Sequence, residues 1–192
     1  LEKIEAEARA YSESFARFKQ ETNVNYNEVY RQGMLNFMGQ SKDPLILTGS
    51  AYDEKKMMAQ NRERNDQTGK FFIHFNKLIL CYFFHDYAQA LEHARESRTL
   101  LEAVLAKFEI PNHHFYEALT LLALYPKAGR GEKFRMMARV QNNMLKLKKW
   151  AKYAPENYEH KYLLIKAERL RVLGRFSPAR MVYDQAIQKA ST

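Results

Sequence analysis

Apolar and small residues at Ile4, Ala8, Tyr11, Phe15 and Phe18 are spaced by four, three, four and three, with Glu, Lys and Arg between them. That period predicts an amphipathic helix over residues 2–20. A second helical pattern, Tyr26, Val29, Tyr30, Leu35, Phe37 and Met38, ends at Gly39, the residue type that most easily takes a left-handed helix stop. Lys42-Asp43-Pro44 breaks any continuation, because proline lacks an amide hydrogen and restricts the residue before it. Residues 40–69 read as a connecting insertion with one short helix near 53–63, either a functional insertion or a flexible loop. From 70 to 84 the chain is apolar almost all round, which implies a helix buried between neighbours. Asp86 caps the next helix, expected over 87–107. Further helices are expected over 111–125, 132–154 and 155–173, with Gly129 and Gly131 in a loop. Ser177-Pro178 is read as an N-cap and N1 pair for the last helix.

Composition narrows the class. With 46% apolar and 28% charged residues in 192, the chain has the balance of a folded domain and not of a disordered tail. Seven glycines and five prolines are too few for the many turns of a sandwich or barrel. No run approaches the ~20 apolar residues of a membrane span. Residue 1 is Leu, and no leader pattern follows it, so the chain reads as an internal piece of a longer protein. The single cysteine, Cys81, cannot form an internal disulfide and suits a reducing cytoplasm. The expectation is one all-α domain over 1–192, cytoplasmic, with antiparallel helix pairs, about seven or eight helices in all.

The net charge of +9 is unevenly placed. Residues 1–126 hold 15 Lys/Arg against 17 Asp/Glu, whereas residues 127–192 hold 16 against 5. The basic excess therefore lies in the last third and points to an acidic partner.

Bundle or solenoid is decided by repetition. Ala167, Gly174, Phe176, Ala179, Tyr183 and Ala186 match the small and aromatic positions of a tetratricopeptide (TPR) repeat. The alanines would let two helices approach closely, with Phe176 and Tyr183 filling the space between that pair and its neighbour. Residues 71–97 resemble the same repeat more weakly through His85-Asp86-Tyr87, Ala90, Ala94 and Ser97, with Leu78 where a small residue belongs. The resemblance implies a TPR-like right-handed solenoid. It also implies a groove along the first helix of each pair, lined by Lys161, Leu164, Glu168 and Arg171, and in the earlier copy by Phe72, Phe75, Ile79 and Tyr82. The aromatic set has a second reading, as core against the helix at 26–38. Ile165 stands where a carboxylate-clamping TPR needs a basic residue, so that activity is not expected.

A longer resemblance rests on Leu78–Phe84 with Asp86-Tyr87, His114-Phe115-Tyr116, Leu124-Tyr125, Lys149-Trp150-Ala151, Ala154-Pro155-Glu156-Asn157 and Ala167-Glu168-Arg169. These strings, and residues 47–54, resemble the helical-repeat region of large bacterial multi-domain signalling kinases. Those proteins join a Ser/Thr kinase, an AAA/STAND-type ATPase, GAF domains and a histidine kinase. The resemblance implies a regulatory context and transfers no active-site residue.

Catalytic signatures are absent from the sequence. No P-loop glycine pattern precedes a Lys-Ser/Thr pair, and Gly129-Arg130-Gly131 lacks both the hydroxyl residue and a preceding strand. His113 and His114 are adjacent, so on a helix they point about 100° apart and make a poor chelate. No enzyme activity, metal or cofactor is expected of this segment. What remains is a basic face on the helix at 132–154, formed by Arg135, Arg139, Lys146 and Lys149 opposite Met136, Val140, Met144, Leu147 and Ala151. It reads as a solvated face, as a docking site for an acidic protein or neighbouring domain, or as a nucleic-acid contact. The functional expectation is a non-catalytic protein–protein or interdomain module, with a basic nucleic-acid-binding module as the alternative.

Overall fold

A computed structural model describes residues 1–105 and 107–191. Among these residues there are nine α-helices, more than the seven or eight expected, and no strand beyond an isolated antiparallel bridge between Thr48 and Asp53. No helix among them is long and apolar enough to cross a membrane. The sequence suggested one domain over 1–192, whereas the chain divides into two compact units, Leu1–Leu105 and Ala106–Thr192.

The first unit holds α1 (Glu2–Arg17), α2 (Glu21–Phe37), α3 (Glu54–Glu63), α4 (Gln67–Phe83), α5 (Tyr87–Thr99) and a 3-10 turn at Leu101–Val104. Aspartate starts three of these helices. Asp53, Asp66 and Asp86 accept the backbone N–H groups of Lys56, Gly69 and Gln89 at 3.0, 2.8 and 3.0 Å, which satisfies donors that have no partner within the helix. Gly39 follows α2 at φ +73°, as its sequence position suggests. α5 ends eight residues before the expected 107. There the hydroxyls of Ser97 and Thr99 bond back to the carbonyls of His93 and Glu96, an alternative to continuing the helix. Val104 in the following turn is buried instead.

α4 is the hub of this unit, packing on α2, α3 and α5. Phe71 and Phe75 stack at 5.5 Å, and Phe72 meets the ring edges of Tyr26 and Tyr30 at 5.0 and 5.3 Å. Cys81 is fully buried and its thiol is pushed up to about 11 by that burial, which leaves it inert. Ala90, Ala94 and Ser97 are buried on α5, and so is Leu78 on α4.

The insertion at 40–69 is clamped to α2. Asn36 Nδ2 donates to the carbonyls of Pro44 and Ile46, and Gln32 Oε1 accepts from the N–H groups of Ala51 and Tyr52. Gly49 sits so close to this amide that a Cβ there would lie 2.6 Å from Gln32 Nε2.

The second unit holds α6 (Glu109–Leu124), a 3-10 turn at Tyr125–Lys127, α7 (Arg130–Tyr153), α8 (Pro155–Val172) and α9 (Phe176–Ala190). Consecutive helices pack on one another, and α6 also reaches α8. Three sequence expectations are corrected. Gly131 lies inside the first turn of α7 and not in the preceding loop. α9 begins at Phe176 with Arg175 as its N-cap, so Ser177 and Pro178 are inside its first turn, where proline's missing N–H costs little. Phe176 is 69% exposed and fills no space between helices, because its position in the first turn directs it to solvent. The alanines are buried as expected: Ala167 and Ala186 share the core where α8 meets α9, and Ala179 is buried on α9.

Substituting Ala179→Phe should therefore overpack the α8/α9 contact and cost about 1–3 kcal/mol, read as a lowered thermal midpoint. An unchanged midpoint would mean that the two helices do not meet there.

Candidate functional site

α6 is buried on most of its circumference, yet it carries His113, His114, Glu117 and Thr120 with essentially no exposed surface. Polar groups so placed require partners, and for His114 and Glu117 α7 supplies them from Arg139, Asn143, Lys146 and Trp150, at spacings of four, three and four. That is one stripe of a helix.

Glu117 accepts Arg139 Nε at 3.0 and 3.1 Å on its two oxygens and Asn143 Nδ2 at 2.8 Å. With its amide nitrogen donating to Glu117, Asn143 presents Oδ1 to His114 Nδ1 at 3.1 Å, so Nδ1 carries the proton. His114 Nε2 then accepts from Lys146 Nζ at 3.2 Å. Trp150 stacks on the His114 ring at 5.8 Å and 26°. Burial holds His114 neutral and pulls its pKa down to about 3, with His113 and the positive Lys146 and Arg139 acting in the same direction. Lys146 is also lowered, first by burial and then by Arg139.

Ligand-type atoms of His113, His114 and Glu117 lie within 4.8 Å of one another. Helical spacing brings both histidines to Glu117, at i,i+4 and i,i+3, although the two rings diverge. The donor types would suit a divalent transition metal. The resident partners do not: Arg139 and Asn143 hold the carboxylate, and Asn143 and Lys146 engage both nitrogens of His114. An added cation would meet two positive charges already seated.

This joint corrects the basic face read from the sequence. Arg139 and Lys146 point into the α6/α7 contact and are partly buried, leaving Arg135 and Lys149 exposed. The outer face of α7 instead carries Phe134, 78% exposed, and Leu145, 57% exposed, with Arg135, Lys148, Lys149 and Lys152 also exposed on the helix. Phe134 and Leu145 are separated by about three turns and share a side.

The expected groove is corrected as well. Phe72 and Phe75 are core, 3% and 2% exposed, and Phe72 sits against α2, the second of the two readings given by the sequence. Tyr82 is half-buried beside Phe83 and Tyr87, and Ile79 is half-buried. In the other copy, Lys161 donates to the carbonyl of Asn157 and lies over the Tyr158 ring, and Leu164 packs on the α8/α9 core. Glu168 accepts from the Tyr183 hydroxyl and pairs with Arg171 at 2.7 Å. These last residues lie together on one helix; the aromatic four do not form an open surface.

Glu117 and Asn143 were missed in the sequence. Their signal was present as polar stripes at helical spacing, His113, His114, Glu117 and Thr120 on one helix and Arg139, Asn143 and Lys146 on the next. Comparison with protein-family models, curated proteins and solved structures finds no match to this chain.

Removing the carboxylate by Glu117→Ala should cost about 2–3 kcal/mol, toward the low side for a broken buried pair because Arg139 keeps 25% of its side chain in solvent. Chemical denaturation of the two proteins measures this. The pH dependence has a definite sign. Unfolded histidine takes up a proton near 6.5, and folded His114 refuses it until about 3. Stability should be independent of this group above pH 6.5 and should fall as pH is lowered from 6.5 toward 3. His114→Gln should make that slope shallower in acid titrations followed by circular dichroism.

Proposed function

We propose that this chain is a non-catalytic, TPR-like interaction module that docks an acidic, partly apolar protein surface. The observation that carries the reading is the outer face of α7, where Phe134 and Leu145 stand exposed among Arg135, Lys148, Lys149 and Lys152. Exposed large apolar side chains on one helix face, bordered by polar ones, are the composition of a docking patch: apolar anchors supply the energy and the charged rim supplies orientation and rate. The excess of 16 basic over 5 acidic residues in 127–192 favours an acidic counterpart. The small-residue contact of α8 and α9 supports TPR-like pairing. The resemblance to bacterial signalling kinases supports a partner within such a chain, where the module would regulate kinase output.

The second reading, nucleic-acid binding, is favoured by one specific feature, Phe134 beside Arg135, since an aromatic next to a cation can stack on a base. Leu145 has no role in that reading.

Fluorescence anisotropy separates the two. A labelled amphipathic helical peptide rich in Leu and Glu should bind, and the double change Phe134→Ser, Leu145→Ser should weaken it by roughly tenfold or more. Arg135→Glu with Lys149→Glu should weaken it and reduce its salt dependence. Labelled single-stranded and duplex oligonucleotides should not bind at physiological salt. Tight oligonucleotide binding, lost on the charge reversal, would overturn the protein-docking reading and establish the second.

A further inference from the structure

α3 and α5 both pack on α4, and residues of all three helices line an open cleft of about 560 Å³ within the first unit. Its base is apolar: Ile73 is buried there, with Met58 and Ala59 beside it. A cleft of this volume with an apolar lining and a few polar groups has the make-up of a small-ligand site.

The polar groups define the ligand. Lys77 and Glu54 are spent on each other, paired at 2.7 Å with both side chains largely buried, and Glu54 also accepts the N–H of Leu47. Lys55 and Arg62, both exposed on α3, make no ion pair among the described residues. They sit seven positions apart, about two turns, on the side of α3 that lines the cleft. The lining therefore offers two uncommitted cations over an apolar base, with one carboxylate nearby that would repel a dianion.

His74 on α4 and His93 on α5 complete it. Their Nδ1 atoms are 3.1 Å apart and their ring centroids 5.3 Å, so the excess is about two ring radii and the rings meet head on. That is the geometry of one N–H···N hydrogen bond and not of two lone pairs converging on a metal ion. Both rings are kept neutral: burial, with Lys77 adding to it, lowers His74 and pulls His93 down to about 3. In a neutral pair joined through Nδ1, whichever ring donates is bare at Nε2, and the other carries its proton on Nε2. The pair always keeps one N–H donor.

We propose that this cleft binds a small organic monocarboxylate, its aliphatic or aromatic body on Ile73, Met58 and Ala59 and its carboxylate held by Lys55, Arg62 and the N–H of the histidine pair. The site is independent of the α7 surface, so each reading stands or falls alone.

Three probes with one body and different head groups test it on the 192-residue chain: 4-phenylbutyrate, 4-phenylbutanol and 4-phenylbutylamine, titrated by NMR. Phenylbutyrate should bind at millimolar concentration or below and shift the ring signals of His74 and His93, with the amine roughly tenfold weaker or worse. Lys55→Gln with Arg62→Gln, both at exposed positions, should bring the acid to the affinity of the alcohol. Ala59→Trp, also exposed, should fill the cleft and abolish binding of all three probes while leaving the thermal midpoint in place. Equal affinities for the three head groups, shifts confined to other residues, binding that survives Ala59→Trp, or no binding at millimolar concentration would each overturn the proposal.

Discussion

The buried carboxylate of Glu117 is the constraint on which the second unit turns. A charge with no exposed surface is stable only where its hydrogen-bonding capacity is filled, and α7 fills it with Arg139 and Asn143 on one stripe. Asn143 then fixes the tautomer of His114, and His114 in turn receives Lys146. Rotating α7 by a single residue would move every partner by 100° and strand the carboxylate. The network thus sets which side of α7 faces α6, and by exclusion which side faces out.

Placing Phe134 and Leu145 in solvent follows from this. Turning those two residues inward would bring out Met136, Val140, Met144 and Leu147, which are buried on the opposite side of α7, so apolar packing already holds this face. The polar stripe opposes the same rotation, because the loss of a satisfied buried ion pair is costly. An exposed apolar pair is thus fixed by an internal polar contact. The first unit shows the same logic with neutral groups: Gln32 and Asn36 satisfy loop backbone from within α2 and so fix the insertion that leads into α3. α3 carries Lys55 and Arg62 over the cleft.

Local signals in the sequence were reliable for the helices themselves. Asp86, Gly39, Pro155 and Gly174 act through their own backbone neighbourhood, and the helix limits they mark agree with the structure, whereas Asp66 caps α4 at Gln67, ahead of the expected 70. The alanines at 167, 179 and 186 were equally legible, because only small side chains permit so close a helix contact. Where α5 ends was not legible, since its last turns are decided by Ser97 and Thr99 bonding back and by Val104 reaching the core.

The sequence by itself determined the all-helical class, most helix limits and the basic excess of the last third, because each depends on residue type and short-range spacing. Only the tertiary structure decided which charges are available. Arg135, Arg139, Lys146 and Lys149 are alike in the sequence, and a helical wheel puts them on one arc. The wheel holds no knowledge of Glu117 or His114, 22 and 32 residues away along the chain from the cations they engage. The same is true of His74 and His93, which are separated by 19 residues and share a proton only because α4 and α5 pack side by side. Whether a polar residue faces water or a partner is a property of the pair, and the pair exists only once the helices have met.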